Sequence, residues 1–164
     1  MSRDSVGVMD RAANVGGDRV DELFAAALAV QANAHAPYSK YRVGAAVLTA
    51  TGRIFAGCNV ENAAYPQGSC AETGAIGAMV AAGEREIVAV LTVCDGDDLG
   101  TCCGGCRQRI REFAALDTPI YAADGSGVRA TFSLDQLLPF SFGPEHLRPQ
   151  HLGPQHLGRE ALDV

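Results

Sequence analysis

The stretch IVAVLTV at residues 87–93 is an unbroken apolar run, and it decides the fold class. A run of this kind is expected for a strand that is covered on both faces of a sheet. Small and β-branched residues at 42–50 and 54–60, separated by a turn, predict a hairpin. Two more strands are predicted at 119–123 and 128–132, around a second turn. The sequence therefore predicts a sheet of about five strands.

Helical patterns alternate with these strands along the chain. Apolar residues at helical spacing predict a first helix with Asp18 as its N-cap, which ends by about residue 35 or 36 because Pro37 follows. Further helices are predicted at 70–82, at 106–115 and after Ser133, where Gln136 completes a capping box. Elements in this order predict an α/β fold in which helices pack on a mixed sheet.

The 164 residues have a length typical of one domain. Residues 1–17 are polar and predict a loose N-terminal leader, and residues 18–147 predict the domain itself. Residues 148–164 belong to a quasi-repeat, HLRPQ-HLGPQ-HLGRE, that starts at His146. Its proline and glycine content predicts a disordered tail, with a metal site on the repeated histidines as the weaker alternative.

Composition argues against several function classes. No apolar run reaches the ~18 residues of a membrane helix, and the first residues lack the apolar core of a secretory signal. We therefore expect a cytoplasmic protein with no membrane partner. The formal net charge is −6, from 13 Lys and Arg against 19 Asp and Glu. Because nucleic-acid affinity comes largely from neutralising phosphates, this balance argues against a nucleic-acid partner and leaves a small neutral substrate open.

Six cysteines in a reducing compartment more often bind metal or carry out chemistry than form disulfides. Cys103 and Cys106 have the C-x-x-C spacing with which two thiolates bind one tetrahedral ion, and Cys70 is a candidate third ligand. Three ligands leave one position open, which is typical of a catalytic zinc. Two helix N-termini there would offset the charge of the thiolates. Glu72, two residues after Cys70, is the candidate general acid–base.

Other interpretations of the cysteines remain open. The C-x-x-C pair is also the pattern of a redox dithiol, although no thioredoxin-like context surrounds it. A closed structural zinc site would take Cys102, Cys58 or Cys94 as a fourth ligand. Taken one at a time, Cys58 and Cys94 are typical buried small hydrophobes.

Several blocks of sequence together resemble the zinc nucleoside deaminases, and among them the small homotetrameric cytidine deaminases. These blocks are PYSKYRVGAA (37–46), GCNVENAAYP (57–66), GSCAE (68–72), CGGCRQRIREF (103–113) and LLPFSFGPEHL (137–147). The resemblance implies a three-layer fold with helices on both faces of the sheet, and one Zn²⁺ per chain on Cys70, Cys103 and Cys106. It implies hydrolytic deamination of cytidine and deoxycytidine in pyrimidine salvage. A zinc-bound hydroxide would attack C4 of cytosine, while Glu72 protonates the ring nitrogen and then the departing ammonia.

The resemblance also implies a set of substrate-binding residues. These are Asn59 and Glu61 at the ribose hydroxyls, Tyr41 and Ala71 at the nucleoside, and Tyr65 and Phe142 reaching a neighbouring subunit's site. A homotetramer with composite active sites is therefore expected. From the residues alone, Asn59 and Glu61 are more typical of polar groups that cap a loop, and Phe142 of a core or anchoring residue.

The chain departs from the pattern that it resembles at three places. Thr73 follows Glu72 where many three-cysteine members carry an arginine, Cys102 replaces a proline, and the repeat tail has no counterpart. Without the arginine the zinc cluster is more negative, which should raise the pKa of bound water. Arg107 is a hypothetical substitute for it.

Three competing functions remain. Another small-molecule deaminase, such as one acting on blasticidin S, would use the same metal site. A nucleic-acid-editing deaminase would need basic loops, which this acidic chain lacks. A zinc-stabilised binding module would keep the cysteines and leave Glu72 without a role. Asn59, Glu61 and Phe142 favour a nucleoside substrate.

Overall fold

The computed structural model describes residues 15–147. All but the last residues of the predicted leader, and the whole of the predicted tail at 148–164, lie outside the described residues. So do two of the three repeated histidines, His151 and His156. Within the described part, no helix is both long and apolar enough to cross a bilayer.

A mixed five-stranded sheet forms the centre of the molecule, as the sequence predicts. Its strands are β1 (Val43–Thr49), β2 (Ile54–Cys58), β3 (Ile87–Cys94), β4 (Pro119–Asp124) and β5 (Gly127–Ser133). Their spatial order is β2-β1-β3-β4-β5. Strands β3 and β4 run parallel, and the other neighbours are antiparallel. The apolar run that decided the fold class is the central strand β3, and all of its residues except Val88 are buried.

Helices cover both faces of this sheet, which confirms the three-layer arrangement. They are α1 (Gly17–Gln31), α2 (Ala71–Ala81), α3 (Gly104–Phe113) and the short α4 (Leu134–Leu137). Successive side chains of β1 point to opposite faces of the sheet, and Ala46 and Leu48 pack against α1 on one face. Val47 packs with α2 and α3 on the opposite face. The site described below lies where α2 and α3 begin.

Both predicted ends of the first helix are wrong. Helix α1 begins at Gly17 with Gly16 in the N-cap position, so that Asp18 lies in the first turn instead of capping it. The helix ends at Gln31, several residues before Pro37. The reason is a tertiary interaction, since the backbone of His35 accepts from Glu61 N–H (2.7 Å) and donates to the carbonyl of Asn59 (3.0 Å). Pairing with the segment after β2 thus replaces the last predicted turn.

Helix α2 lies unusually close to β2, and Gly57 makes this approach possible. A Cβ atom at Gly57 would lie 2.5 Å from the backbone nitrogen of Ala75 and 2.6 Å from the carbonyl oxygen of Ala71. Both contacts are with backbone, which cannot move aside as a flexible side chain could. Gly57 therefore determines how near the N-terminal end of α2 lies to the sheet.

Replacing Thr118 by valine is expected to stabilise the fold. Thr118 is fully buried immediately before β4, and no group among residues 15–147 hydrogen-bonds its Oγ1. Removing this hydroxyl while keeping the branched shape should raise the free energy of unfolding by about 1 kcal/mol. Urea denaturation of wild type and Thr118→Val measures the difference, and a lower value for the variant would contradict the prediction.

Candidate metal centre and substrate cleft

Three cysteine side chains meet where α2 and α3 begin. The Sγ atoms of Cys70, Cys103 and Cys106 all lie within 4.8 Å of one another, and those of Cys70 and Cys103 are 3.6 Å apart. Cys70 is the N-cap residue of α2, Cys103 is the N-cap residue of α3, and Cys106 lies in the first turn of α3. The positive ends of two helix dipoles therefore meet at the sulfur atoms, where they favour negative charge.

The donor set fits a zinc ion. Tetrahedral zinc binds thiolate at about 2.3 Å, which puts sulfur atoms on a shared ion roughly 3.8 Å apart. The observed separations require only small side-chain adjustments. The other three cysteines, Cys58, Cys94 and Cys102, are not part of this group. Cys102 is buried in the core against α2 and α3, where a cysteine behaves as a small hydrophobe.

Burial and hydrogen bonds shift the pKa values of these thiols in different directions. Burial raises the pKa of Cys70 and of Cys106, and the charge of Glu72 raises the pKa of Cys106 further. The pKa of Cys103 is lowered, because hydrogen bonds from the Cys106 backbone and the Cys70 side chain outweigh its burial. Burial also raises the pKa of Cys102 to about 11. Without a cation Cys70 and Cys106 hold their protons, so metal binding has to displace them.

Glu72 lies beside the sulfur group and does not belong to it. It stands in the first turn of α2, and only 3% of its surface is exposed. Its Oε1 accepts a hydrogen bond from Thr92 Oγ1 of β3 at 3.3 Å. A buried carboxylate next to three candidate metal ligands has the position that a proton-transferring group needs.

A cleft of about 670 Å³ opens above the sulfur group and Glu72, a size typical of small-molecule sites. Eight of the ten residues predicted for the site line it: Tyr41, Asn59, Glu61, Tyr65, Cys70, Ala71, Glu72 and Cys103. Cys106 lies behind this lining and is fully buried. The tenth residue, Phe142, does not line the cleft.

Asn59 and Glu61 fix the backbone at the rim of the cleft. Asn59 Oδ1 accepts from the N–H of Val43 (2.8 Å), and its Nδ2 donates to the carbonyl of Tyr41 (2.9 Å). Glu61 Oε2 accepts from the N–H groups of Tyr38 (2.8 Å) and Ser39 (3.2 Å). Hydrogen bonds from the Ser39 side chain and the Tyr38 backbone lower the pKa of Glu61. Both residues therefore cap a loop and also face the cleft.

Ten residues that line the cleft were not predicted for the site from the sequence, among them Ser39, Thr92 and Cys94. Thr92 and Cys94 are two residues apart on β3 and share the face that points towards α2. Burial and a hydrogen bond with Cys94 raise the pKa of Tyr41 to about 12. The sequence did contain one indication, since Thr92 is the polar residue within an otherwise apolar run.

Arg107 anchors the loop that leads to the sulfur group. Its Nε donates to the carbonyl of Cys102 (2.8 Å), its Nη1 to the carbonyl of Leu137 (2.8 Å) and its Nη2 to the hydroxyl of Thr101 (2.9 Å). These donors are directed at the loop and the C-terminal segment. Thr73 occupies the position after Glu72, and its Oγ1 lies 4.0 Å from the Cys106 sulfur.

Residues 18–122 match the family model described as the cytidine and deoxycytidylate deaminase zinc-binding region. The chain belongs to the cytidine and deoxycytidylate deaminase family. This match extends over more than half of the chain and includes all three cysteines of the sulfur group. It confirms the resemblance drawn from the sequence blocks, and with it an enzyme fold and zinc as the cofactor.

Individual members of the deaminase family agree with this assignment. The cytidine deaminase of Sporosarcina psychrophila is 38% identical over 128 residues, which cover 78% of this chain and 94% of that protein. The crystal structure of cytidine deaminase from Burkholderia pseudomallei aligns with a TM-score of 0.65 at 35% identity, over 74% of this chain and 98% of that one. The cytidine deaminase structure from Mycobacterium leprae aligns with a TM-score of 0.62 at 40% identity, over 73% and 96%.

Proposed function

We propose that this chain catalyses the hydrolytic deamination of cytidine and deoxycytidine to uridine and deoxyuridine. One observation carries the proposal: a group of three cysteine sulfurs lies next to the buried carboxylate of Glu72, at the base of a cleft of nucleoside size. Relatives named cytidine deaminase, which match most of this chain, support the choice of substrate.

Cys70, Cys103 and Cys106 are the proposed ligands of one Zn²⁺ per chain. Three protein ligands leave a fourth position open, and a zinc ion in such a site activates water near neutral pH. The chain contributes the two helix N-termini, which offset the charge of three thiolates. Zinc bound in this way also links α2 to α3, so that it contributes to folding as well as to chemistry.

Glu72 is the proposed proton carrier. Deamination adds water at C4 of cytosine and releases the 4-amino group as ammonia, so protons must move from the water to the ring nitrogen and then to the leaving amine. A single carboxylate that accepts and returns a proton can serve both steps. Its burial keeps bulk water from competing for those protons.

The rim of the cleft supplies the proposed contacts with the sugar and base. The Asn59 amide nitrogen has two N–H groups and donates one to Tyr41, which leaves a second for a ribose hydroxyl. Glu61 has a lowered pKa, is charged at neutral pH and accepts hydrogen bonds from hydroxyl groups. Tyr41 and Ala71 are proposed to contact the nucleoside from the same side.

Aromatic groups from neighbouring subunits are proposed to complete each site in a homotetramer. Tyr65 lines the cleft with 81% of its surface exposed. Phe142 is 56% exposed and stacks on His146 at a centroid distance of 5.0 Å, away from the cleft of its own chain. Large exposed aromatics of this kind are typical of interface residues. We further propose a cytoplasmic enzyme of pyrimidine salvage.

Turnover and zinc content measured on the same purified sample test the proposal. The absorbance of cytidine and of deoxycytidine should fall with time, with about one zinc per chain, and sedimentation should give the mass of four chains. One zinc without turnover would contradict the substrate assignment and make blasticidin S the next compound to test. Little zinc would contradict the ligand assignment itself.

A further inference from the structure

Thr92 is an unusual residue for its position in the fold. It is the hydroxyl-bearing residue of β3, whose other members are apolar, and it is 1% exposed. Its side chain nevertheless lines the substrate cleft. A polar group in the central strand of a sheet costs free energy unless it is hydrogen-bonded, so its partner indicates its role.

That partner is the carboxylate of Glu72. Thr92 Oγ1 donates to Glu72 Oε1 at 3.3 Å, and both side chains are buried. The two residues belong to different elements, since Glu72 lies on α2 and Thr92 on β3. Their hydrogen bond therefore links the helix that carries the carboxylate to the middle of the sheet.

The sheet holds Thr92 rigidly. Its backbone is paired with Ala45 of β1 on one side and with Ala122 of β4 on the other. A β-branched side chain also has few rotamers open to it. Glu72, by contrast, has three rotatable bonds and stands in the first turn of a helix, so an external contact is needed to fix the direction of its carboxylate.

We propose that Thr92 is the positioning residue of the proton carrier. Its hydroxyl holds Oε1 and so fixes the plane of the carboxylate, which directs the group towards the cleft. The inference rests on the proposed function of Glu72 in proton transfer. It assigns no direct contact between Thr92 and the substrate, and it predicts an effect on the chemical step rather than on binding.

Two substitutions separate the hydroxyl from the shape of the side chain. Thr92→Val removes the hydroxyl and keeps the branched volume, while Thr92→Ser keeps the hydroxyl. We expect Thr92→Val to lower kcat for cytidine roughly 10- to 100-fold, with unchanged KM and zinc content. Thr92→Ser should recover most of that loss. Thr118→Val is the matched control, because it makes the same change at a buried threonine that does not line the cleft, and its kcat should equal that of wild type.

Crystal structures of wild type and Thr92→Val supply a readout that does not depend on activity. The Glu72 carboxylate should have one orientation in the wild type and a shifted or divided one in the variant. An unshifted carboxylate, an unchanged kcat, or a raised KM with normal kcat would each overturn the inference, as would Thr92→Ser as slow as Thr92→Val. If wild type fails to deaminate cytidine, the proposed function is wrong, whereas the crystal comparison still decides whether Thr92 positions Glu72.

Discussion

Glu72→Gln is expected to lower kcat for cytidine at least about 100-fold while the zinc content stays at the wild-type value. Glutamine has the same shape as glutamate, and its amide oxygen can still accept the hydrogen bond from Thr92. The fold and the cysteine group should therefore be preserved. What disappears is a group that accepts a proton from water and returns it to the leaving amine. Steady-state kinetics and elemental analysis on the same preparation measure both quantities.

Glu112→Gln is the matched control for this substitution. Glu112 is an exposed carboxylate on α3 and does not line the cleft, so the same loss of charge should leave kcat unchanged. If Glu72→Gln loses its zinc together with its activity, Glu72 is a metal ligand and its assignment as proton carrier is wrong. If Glu72→Gln retains wild-type turnover, the proton must be carried by another group.

Local patterns predicted the strands and two members of the cysteine group well, because both depend on nearby residues. The apolar run at 87–93 indicates a strand covered on both faces wherever that strand lies in the chain. In the same way, the spacing of Cys103 and Cys106 brings both side chains to one end of a helix. Cys70 joins the group only because α2 packs beside α3. No local pattern predicts that packing, whereas the need of zinc for a third ligand did.

The features that the sequence missed all depend on contacts between distant segments. Helix α1 ends early because residue 35 pairs with the segment after β2, and helical periodicity has no access to that pairing. The role of Thr92 depends on α2, which brings Glu72 Oε1 within 3.3 Å of the Thr92 hydroxyl. Arg107 could be predicted to offset the charge of the thiolates because it follows Cys106, yet its three donors bind the neighbouring loop and Leu137. Spacing along the chain gives the position of a long side chain, and packing decides its direction.

Cys106→Ser is expected to remove the zinc and, with it, the activity. Cys106 is fully buried between α2 and α3, so no solvent-exposed group can replace its sulfur as a ligand. A serine hydroxyl does not ionise as a thiol does, and zinc needs a deprotonated sulfur at this position. Zinc per chain should fall from about one to nearly zero. Because zinc links the two helices, thermal unfolding should also begin at a lower temperature than in wild type.

Cys102→Ser makes the same chemical change at the neighbouring buried cysteine. Cys102 is 1% exposed and packs in the same core, but its sulfur does not belong to the group of three. A buried hydroxyl costs about 1–3 kcal/mol when it has no partner, so both variants should be less stable than wild type. Stability alone therefore cannot separate them, whereas zinc content can, because Cys102→Ser should keep its metal. Zinc retained by Cys106→Ser would show that Cys106 is not a ligand, and zinc lost by Cys102→Ser would show that Cys102 binds the metal in place of one of the three assigned cysteines.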